Sequence, residues 1–132
     1  MLSVNETGTV FGFCAGEKID LRVCVMQAPK IEYKLKENDV LTLYVRRHPE
    51  AFSELVIEKH GEPGSNTITI EPEDTEWLRP GYYSAIICID IPDQDIHNKP
   101  VWPGLFGHEL DKPGTTLPAD NFILRTGVSM YG

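Results

Sequence analysis

Four histidines are the first residues to consider for metal or acid–base chemistry: His48, His60, His97 and His108. None has a second histidine at the i, i+4 spacing of a helical zinc motif, and none accompanies a Cys-x-x-Cys pair. His48 and His60 are each followed by a proline or a glycine, which is typical of exposed turns. A metal site would need His97 and His108 together with an acid, and we predict that no metal is bound.

The densest group of acids is Asp90, Asp93 and Asp95 at the end of a predicted strand. Carboxylate oxygens in a loop suit Ca²⁺, but this spacing does not match the EF-hand loop. We expect a solvated acidic loop, with a calcium ion as the alternative, and the sequence predicts no cofactor.

Nucleophilic catalysis would need a serine or cysteine held by a base, and the chain has no Gly-x-Ser-x-Gly elbow. Cys14, Cys24 and Cys88 lie in apolar stretches, where a thiol is inert. Their odd number and their spacing argue against a disulfide framework and a zinc site. Carboxylates that meet only in space stay possible, yet so small a domain with so few candidates is predicted not to be an enzyme.

Length and charge limit the remaining function classes. The chain has 132 residues, one ordinary domain predicted to span 1–132, and a net charge of −8, which repels phosphate backbones. The basic cluster 46–48 is interpreted as a solvated strand end, so no nucleic-acid partner is expected. No apolar run is long enough to span a bilayer and residues 1–9 lack a secretory pattern, so we expect no membrane partner and synthesis in the cytoplasm.

Apolar and polar residues alternate along much of the chain, which is the pattern of half-buried strands. The strand with the longest apolar run is expected to be central and covered on both faces. One helical turn is predicted at 51–54 and another at 75–78. Seven short strands separated by frequent turns predict an all-β Greek-key sandwich, with a small barrel as the alternative. The predicted strands are 9–15, 18–26, 39–47, 55–59, 67–70, 82–91 and 121–128.

The segment before the long strand predicts a sharp corner. Asp74 or Thr75 can accept a backbone N–H and start a turn, Leu78 can close the end of the core, and the Pro-Gly pair ending at Gly81 forces a reversal. A tyrosine at the start of the next strand can then form a hydrogen bond back to the corner. This arrangement resembles the tyrosine corner of Greek-key sandwiches, with Tyr83 in that role and Tyr82 as the alternative.

The same region resembles a protein family. The segment 68–75, followed by Leu78, 81–83 and 87–90, is similar to a pattern in the small immunoglobulin-like domains of phage tail and baseplate proteins. The N-terminal domain of siphophage upper baseplate proteins is one of them. The resemblance implies an immunoglobulin-like fold, no catalytic residues, location in the tail of a virion, and contacts with copies of itself and with neighbouring tail proteins.

A long proline-rich segment, 92–120, is expected to be irregular and to precede the last strand. Its apolar residues either pack back onto the sandwich or form a binding or oligomer surface. We expect Trp102, Leu105 and Phe106 to be contact anchors, because large apolar side chains concentrate binding energy at interfaces. Such modules usually form closed rings, so a homo-oligomer, a trimer or a hexamer, is expected.

A carbohydrate-binding sandwich is the alternative function. Trp77, Trp102, Tyr82 and Tyr131 could offer flat faces to sugar rings. The same aromatic residues would fill the core or the corner if the domain only binds proteins.

Overall fold

The computed structural model describes residues 1–28, 30–50, 52–103 and 120–125. In that part of the chain 51% of the residues are in strands and 7% in helices, so the domain is all-β, as predicted. The strands are β1 (Ser3–Val4), β2 (Phe11–Cys14), β3 (Ile19–Arg22), β4 (Met26–Ala28), β5 (Ile31–Glu32), β6 (Val40–Arg46), β7 (Leu55–His60), β8 (Thr67–Ile70), β9 (Gly81–Ile91), β10 (Ile96–Trp102) and β11 (Phe122–Arg125). The helices are α1 (Pro72–Thr75) and a 3₁₀ turn at Pro92–Gln94.

A large mixed sheet forms one layer, with the order β1-β2-β11-β9-β6-β7. The long strand β9 is central and pairs antiparallel with β6 along one edge. Its other edge is shared, because β11 pairs with 81–83 and β10 pairs with 87–91. Strands β2 and β11 are parallel, and the other pairs of this sheet are antiparallel.

The second layer is the antiparallel pair β3–β8, and a further hairpin, β4–β5, follows β3. Alternate residues of each strand point inward, and the core lies between the two layers. Its buried members from the large sheet include Leu41, Leu43, Val45, Ile87 and Ile89, and those from the second layer are Ile19, Leu21, Ile68 and Ile70.

The shared edge of β9 is continuous because a side chain bridges the gap between β10 and β11. The buried amide of Asn121 accepts a hydrogen bond from the Ala85 N–H at 2.7 Å and donates one to the Ala85 carbonyl at 2.8 Å. These are the two bonds that a strand residue would make. Next to it Phe122 stacks on Phe11, with ring centroids 5.0 Å apart.

Three sequence predictions need correction. The segment 92–120 is not irregular throughout, because it begins with the 3₁₀ turn and the seven-residue strand β10. Pro100 is tolerated there because, in the described part of the chain, β10 pairs with β9 alone and its other edge needs no N–H. The helical turn expected at 75–78 is instead α1, three residues earlier, where Pro72 starts the helix. Residues 52–54 are not helical.

The long strand β9 matches its prediction closely. Residues 83–89 are all buried, including Ile86 and Cys88, which face away from the main core and form a small cluster with Tyr44. The strand is therefore covered on both faces, as its unbroken apolar run indicates.

Candidate functional site

The corner before β9 contains the hydrogen bond that defines a tyrosine corner. Tyr83 is buried, and its hydroxyl donates to the carbonyl oxygen of Arg79 at 2.5 Å. Leu78 is also buried in the core, whereas Tyr82 points to solvent with 65% of its surface exposed. The side chain of Tyr83, rather than that of Tyr82, therefore has the corner role.

The turn that precedes this corner is held by a carboxylate. Asp74 accepts a hydrogen bond from the Glu71 N–H at 2.8 Å and forms an ion pair with Lys59 of β7 at 2.9 Å. Gly81 has a φ of +155°, a conformation that residues with a side chain rarely adopt. These contacts fix the path of the chain between the two layers and both involve the Oδ2 atom of Asp74, so this carboxylate has a structural role at the corner.

Trp102 is half-buried and packs against the core. Its ring contacts Phe11 edge to face, with centroids 5.2 Å apart, and its indole N–H donates to the Gly8 carbonyl at 2.6 Å. Leu105 and Phe106, the other two predicted contact anchors, lie outside the described residues. Of the three, the structure thus places only Trp102, and it does so beside a cavity.

That cavity, called here the apolar slot, has a volume of about 260 Å³ and is open to solvent. It lies at the open side of the sandwich between β1 of the large sheet and β3 of the second layer. The floor residues are all apolar: Phe11, Leu21, Val23, Ile87 and Trp102. The rim residues are Leu2, Val4, Gly8, Arg22 and Cys24.

One rim of the slot is the free edge of β3. The Val23 N–H donates to the Asn66 carbonyl at 2.8 Å, so Val23 faces the β8 side of the pair. In an antiparallel pair the bonding direction alternates along the strand, so the backbone groups of Arg22 and Cys24 point away from β8. No described residue forms a hydrogen bond with these backbone groups, and both residues line the slot.

The opposite rim is the free edge of β1, by the same reasoning. The Asn5 N–H donates to the Val10 carbonyl at 3.0 Å, and Ser3 is opposite Gly12, so these residues face β2. Val4 lies between them, and its backbone N–H and C=O therefore point outward. The apolar slot thus combines an apolar floor with two rims whose backbone N–H and C=O groups have no partner among the described residues.

The other open side of the sandwich, between β7 and β8, contains a cavity of different character. This polar groove has a volume of about 410 Å³. Two of its polar side chains have partners: Lys59 forms an ion pair with Asp74, and the His60 Nε2 lies 3.0 Å from a Glu58 carboxylate oxygen. Its lining residues are Lys59, His60, Gly61, Glu62, Ser65, Thr67, Thr69 and Glu71, a set without an aromatic ring.

Of the groups considered for catalysis and metal binding, His97 comes close to two acids, with its Nε2 3.0 Å from Asp95 and its Nδ1 4.0 Å from Asp90. Across residues 1–28, 30–50, 52–103 and 120–125, no three His, Cys, Asp or Glu side chains are grouped to hold a metal ion. Asp90 accepts the Asn98 N–H at 2.8 Å, while Asp95 contacts His97 at 3.0 Å. Cys24 is exposed at the slot, yet local desolvation raises the pKa of its thiol, which keeps it a weak nucleophile.

One buried polar pair was missed by the sequence analysis. The Tyr33 hydroxyl donates to the Asp39 carboxylate at 2.5 Å, and the Lys36 N–H donates to the same oxygen at 2.9 Å. Burial and, after it, the hydrogen bond with Asp39 raise the pKa of Tyr33 to about 12. The Asp39 carbonyl also accepts the Gly64 N–H, so the pair ties two loops together. An aspartate at the start of a strand gave no signal of burial.

Comparison of the chain with protein-family models, with curated proteins and with solved structures gives no match to any of them. The resemblance to phage tail domains therefore stays a prediction that depends on the residues of 68–90. Among the described residues no helix has the length and apolar character needed to cross a membrane.

Proposed function

We propose that this chain is a non-catalytic assembly module of a bacteriophage or prophage tail or baseplate, acting through protein–protein contacts. The apolar slot is the observation that carries the protein-binding part. Its volume of about 260 Å³ is below the roughly 300–1,000 Å³ of pockets for drug-sized ligands. A cavity of this size with an apolar floor suits one large side chain of a partner, and such anchors dominate the energy of many interfaces.

The immunoglobulin-like part of the proposal is supported by the connections between strands. Strands β3 and β8 pair in one layer while β6, β9 and β11 lie together in the facing one. The tyrosine corner at Tyr83 comes immediately before the buried part of β9, the place it occupies in immunoglobulin-like sandwiches. Together with the resemblance at 68–90, this arrangement favours a tail domain over other sandwich proteins.

Purified virions test the phage part directly. Particles induced from the bacterium that encodes the chain are expected to contain it in amounts comparable to other tail proteins, as measured by quantitative mass spectrometry. Antibodies against the chain should label the tail and leave the capsid unlabelled in electron micrographs. Particles that assemble completely without the chain would contradict its role in the virion.

The proposal includes self-association into a ring, a trimer or a hexamer. Closed symmetry is the usual form of homo-oligomers, and a rigid sandwich can contribute two different surfaces to a ring. Multi-angle light scattering at micromolar concentration is expected to give three or six times the monomer mass of 14.8 kDa. A monomer under these conditions would remove the ring from the proposal.

A carbohydrate-binding function is the second candidate, and one observation favours it. Trp77 and Tyr82 flank the corner and expose 57% and 65% of their surfaces, so their ring faces are accessible. Trp102 is a poorer platform because its ring packs on Phe11 and its N–H is already bonded. On a glycan array, Trp77→Ala should abolish sugar binding. Phe52→Ala, at a ring 84% exposed elsewhere, is the matched control.

A further inference from the structure

We propose that the apolar slot binds an extended segment of a partner protein as an added β-strand along the free edge of β3. This inference rests on the proposed function and specifies how the partner docks. The segment places one large apolar side chain on the floor of the slot and a carboxylate near Arg22.

The backbone argument comes from the free rims. Arg22 and Cys24 present N–H and C=O groups at alternate positions of one strand, which is the pattern that an incoming strand needs for ladder hydrogen bonds. Val4 offers a further pair from the other side of the slot. A helix satisfies its own peptide groups and would leave these unpaired, so the geometry favours an extended segment.

The side-chain argument comes from the floor. Successive residues of a strand point to opposite sides, so only every second residue of the added segment faces the slot. The floor is formed by Phe11, Ile87 and Trp102 with two residues of β3 and its extension, and all are apolar. One aromatic or branched aliphatic residue fills this volume, and its neighbours along the segment remain at the surface.

The charge argument concerns Arg22. Its side chain is exposed at the rim, and no ion pair or hydrogen bond links it to another described residue. Among the described residues that line the slot, Arg22 is the only charged one, so it is the group there that can attract a carboxylate. A partner carboxylate would gain a charge-assisted hydrogen bond with Arg22 here, in competition with Glu32, whose carboxylate interacts with Cys24 at the same rim.

A displayed library of random twelve-residue peptides, selected on the folded chain, provides the probe. Binding of the enriched peptides is measured by fluorescence anisotropy against four variants. Val4→Trp places a large ring in the slot, at a residue whose surface is 56% exposed. Ile31→Trp is the matched control, because Ile31 is 54% exposed but lies outside the slot lining. Arg22→Glu reverses the rim charge, and Arg79→Glu is its control at another exposed arginine.

We expect Val4→Trp to weaken binding at least 100-fold and Arg22→Glu about tenfold, while both controls change it less than twofold. N-methylation of the peptide should abolish binding at every second position, because alternate amides form the ladder. Amide hydrogen exchange at Arg22 and Cys24 should slow at least tenfold in the complex. Near-ultraviolet circular dichroism and thermal midpoints establish that each variant is folded.

Two results would overturn the inference, and they differ in what else they contradict. In the first, Val4→Trp loses binding, but the complex does not slow hydrogen exchange at the Arg22 and Cys24 amides, and the effect of N-methylation does not alternate along the peptide. Strand addition is then wrong, and the slot remains a protein-binding site. If no peptide is enriched, or if the enriched peptides bind Val4→Trp as tightly as the unaltered chain, both the added strand and the slot's part in the proposed function fail.

Discussion

The sandwich has two open sides, and they differ in what their side chains do with the free strand edges. On the β7–β8 side, the polar groove places Lys59 and His60 beside the edge, Lys59 in an ion pair with Asp74 and His60 in contact with the Glu58 carboxylate. On the β1–β3 side, the apolar slot has a floor of aromatic and aliphatic residues, and its rim peptide groups have no described partner. On both sides, an edge strand of the large sheet lies opposite an edge strand of the β3–β8 pair.

The comparison shows that residue type, more than topology, decides what an open edge can bind. Charged side chains on an edge strand discourage pairing with another chain, because an incoming strand would have to desolvate them. An apolar floor has the reverse effect, since covering it with a partner side chain is favourable at about 25 cal/mol per Å². The polar groove is thus the less suitable edge for strand pairing, and the apolar slot is the edge that we propose to bind a partner.

Removal of a ring from the slot floor should give the largest change. Phe11→Ala deletes a buried side chain that stacks on Phe122 and contacts Trp102. We expect a loss of about 3–5 kcal/mol in the free energy of unfolding, measured by urea titration. Phe52→Ala, at an exposed ring, should change it by less than about 0.5 kcal/mol. Equal small effects in the two variants would mean that the floor is not packed as described.

Removal of the Tyr83 hydroxyl at the corner between β8 and β9 should give the next largest change in the free energy of unfolding. Tyr83→Phe leaves the Arg79 carbonyl without its hydrogen bond, at a cost of roughly 1–3 kcal/mol in unfolding free energy. Tyr82→Phe is the matched control, because that tyrosine is exposed and adjacent. The assignment of the corner to Tyr83 would be reversed if the control were the more destabilising change.

A pH-dependent loss of stability is expected from Tyr33. Its pKa rises from about 10 in the unfolded chain to about 12 in the fold, so the protonated hydroxyl is favoured by folding. The resulting stability is fully present below pH 10 and is lost as the pH rises towards 12, by about 2 kcal/mol at pH 12. Thermal midpoints recorded from pH 8 to 12 should fall more steeply for the unaltered chain than for Tyr33→Phe. Parallel curves would show that Tyr33 ionises as freely as an exposed tyrosine.

The smallest change is expected on the polar groove. Lys59→Ala breaks a partly exposed ion pair with Asp74, and such pairs contribute about 0–1 kcal/mol. Urea titration at low and high salt should give nearly the same unfolding free energy for this variant. A loss above about 2 kcal/mol would mean that the groove, like the slot floor, is part of the packed interior.

The sequence predicted best those features that depend on neighbouring residues. Alternation was enough to place β6 and the buried strand β9, and the phase of that strand favoured Tyr83 over Tyr82 for the corner. Strand β10 was missed because a proline was taken as a break, although the free edge of a sheet tolerates one.

Features that depend on register between distant segments could not be predicted. The slot brings together residues near 4, 11, 22, 87 and 102, and no local pattern marks them as neighbours. The bridge from Asn121 to Ala85 likewise depends on how two strands end beside β9. Periodicity indicates which face of a strand is buried, but it does not indicate which edge stays free.

Nuclear Overhauser contacts between a selected peptide and the chain test the difference between the two open sides most directly. A complex with an isotope-labelled chain should show cross-strand contacts from the peptide Hα protons to the backbone of Arg22 and Cys24, with one peptide side chain against Trp102. Contacts at Thr67 and Thr69 on the β8 edge, with none at β3, would contradict the assignment of the binding edge.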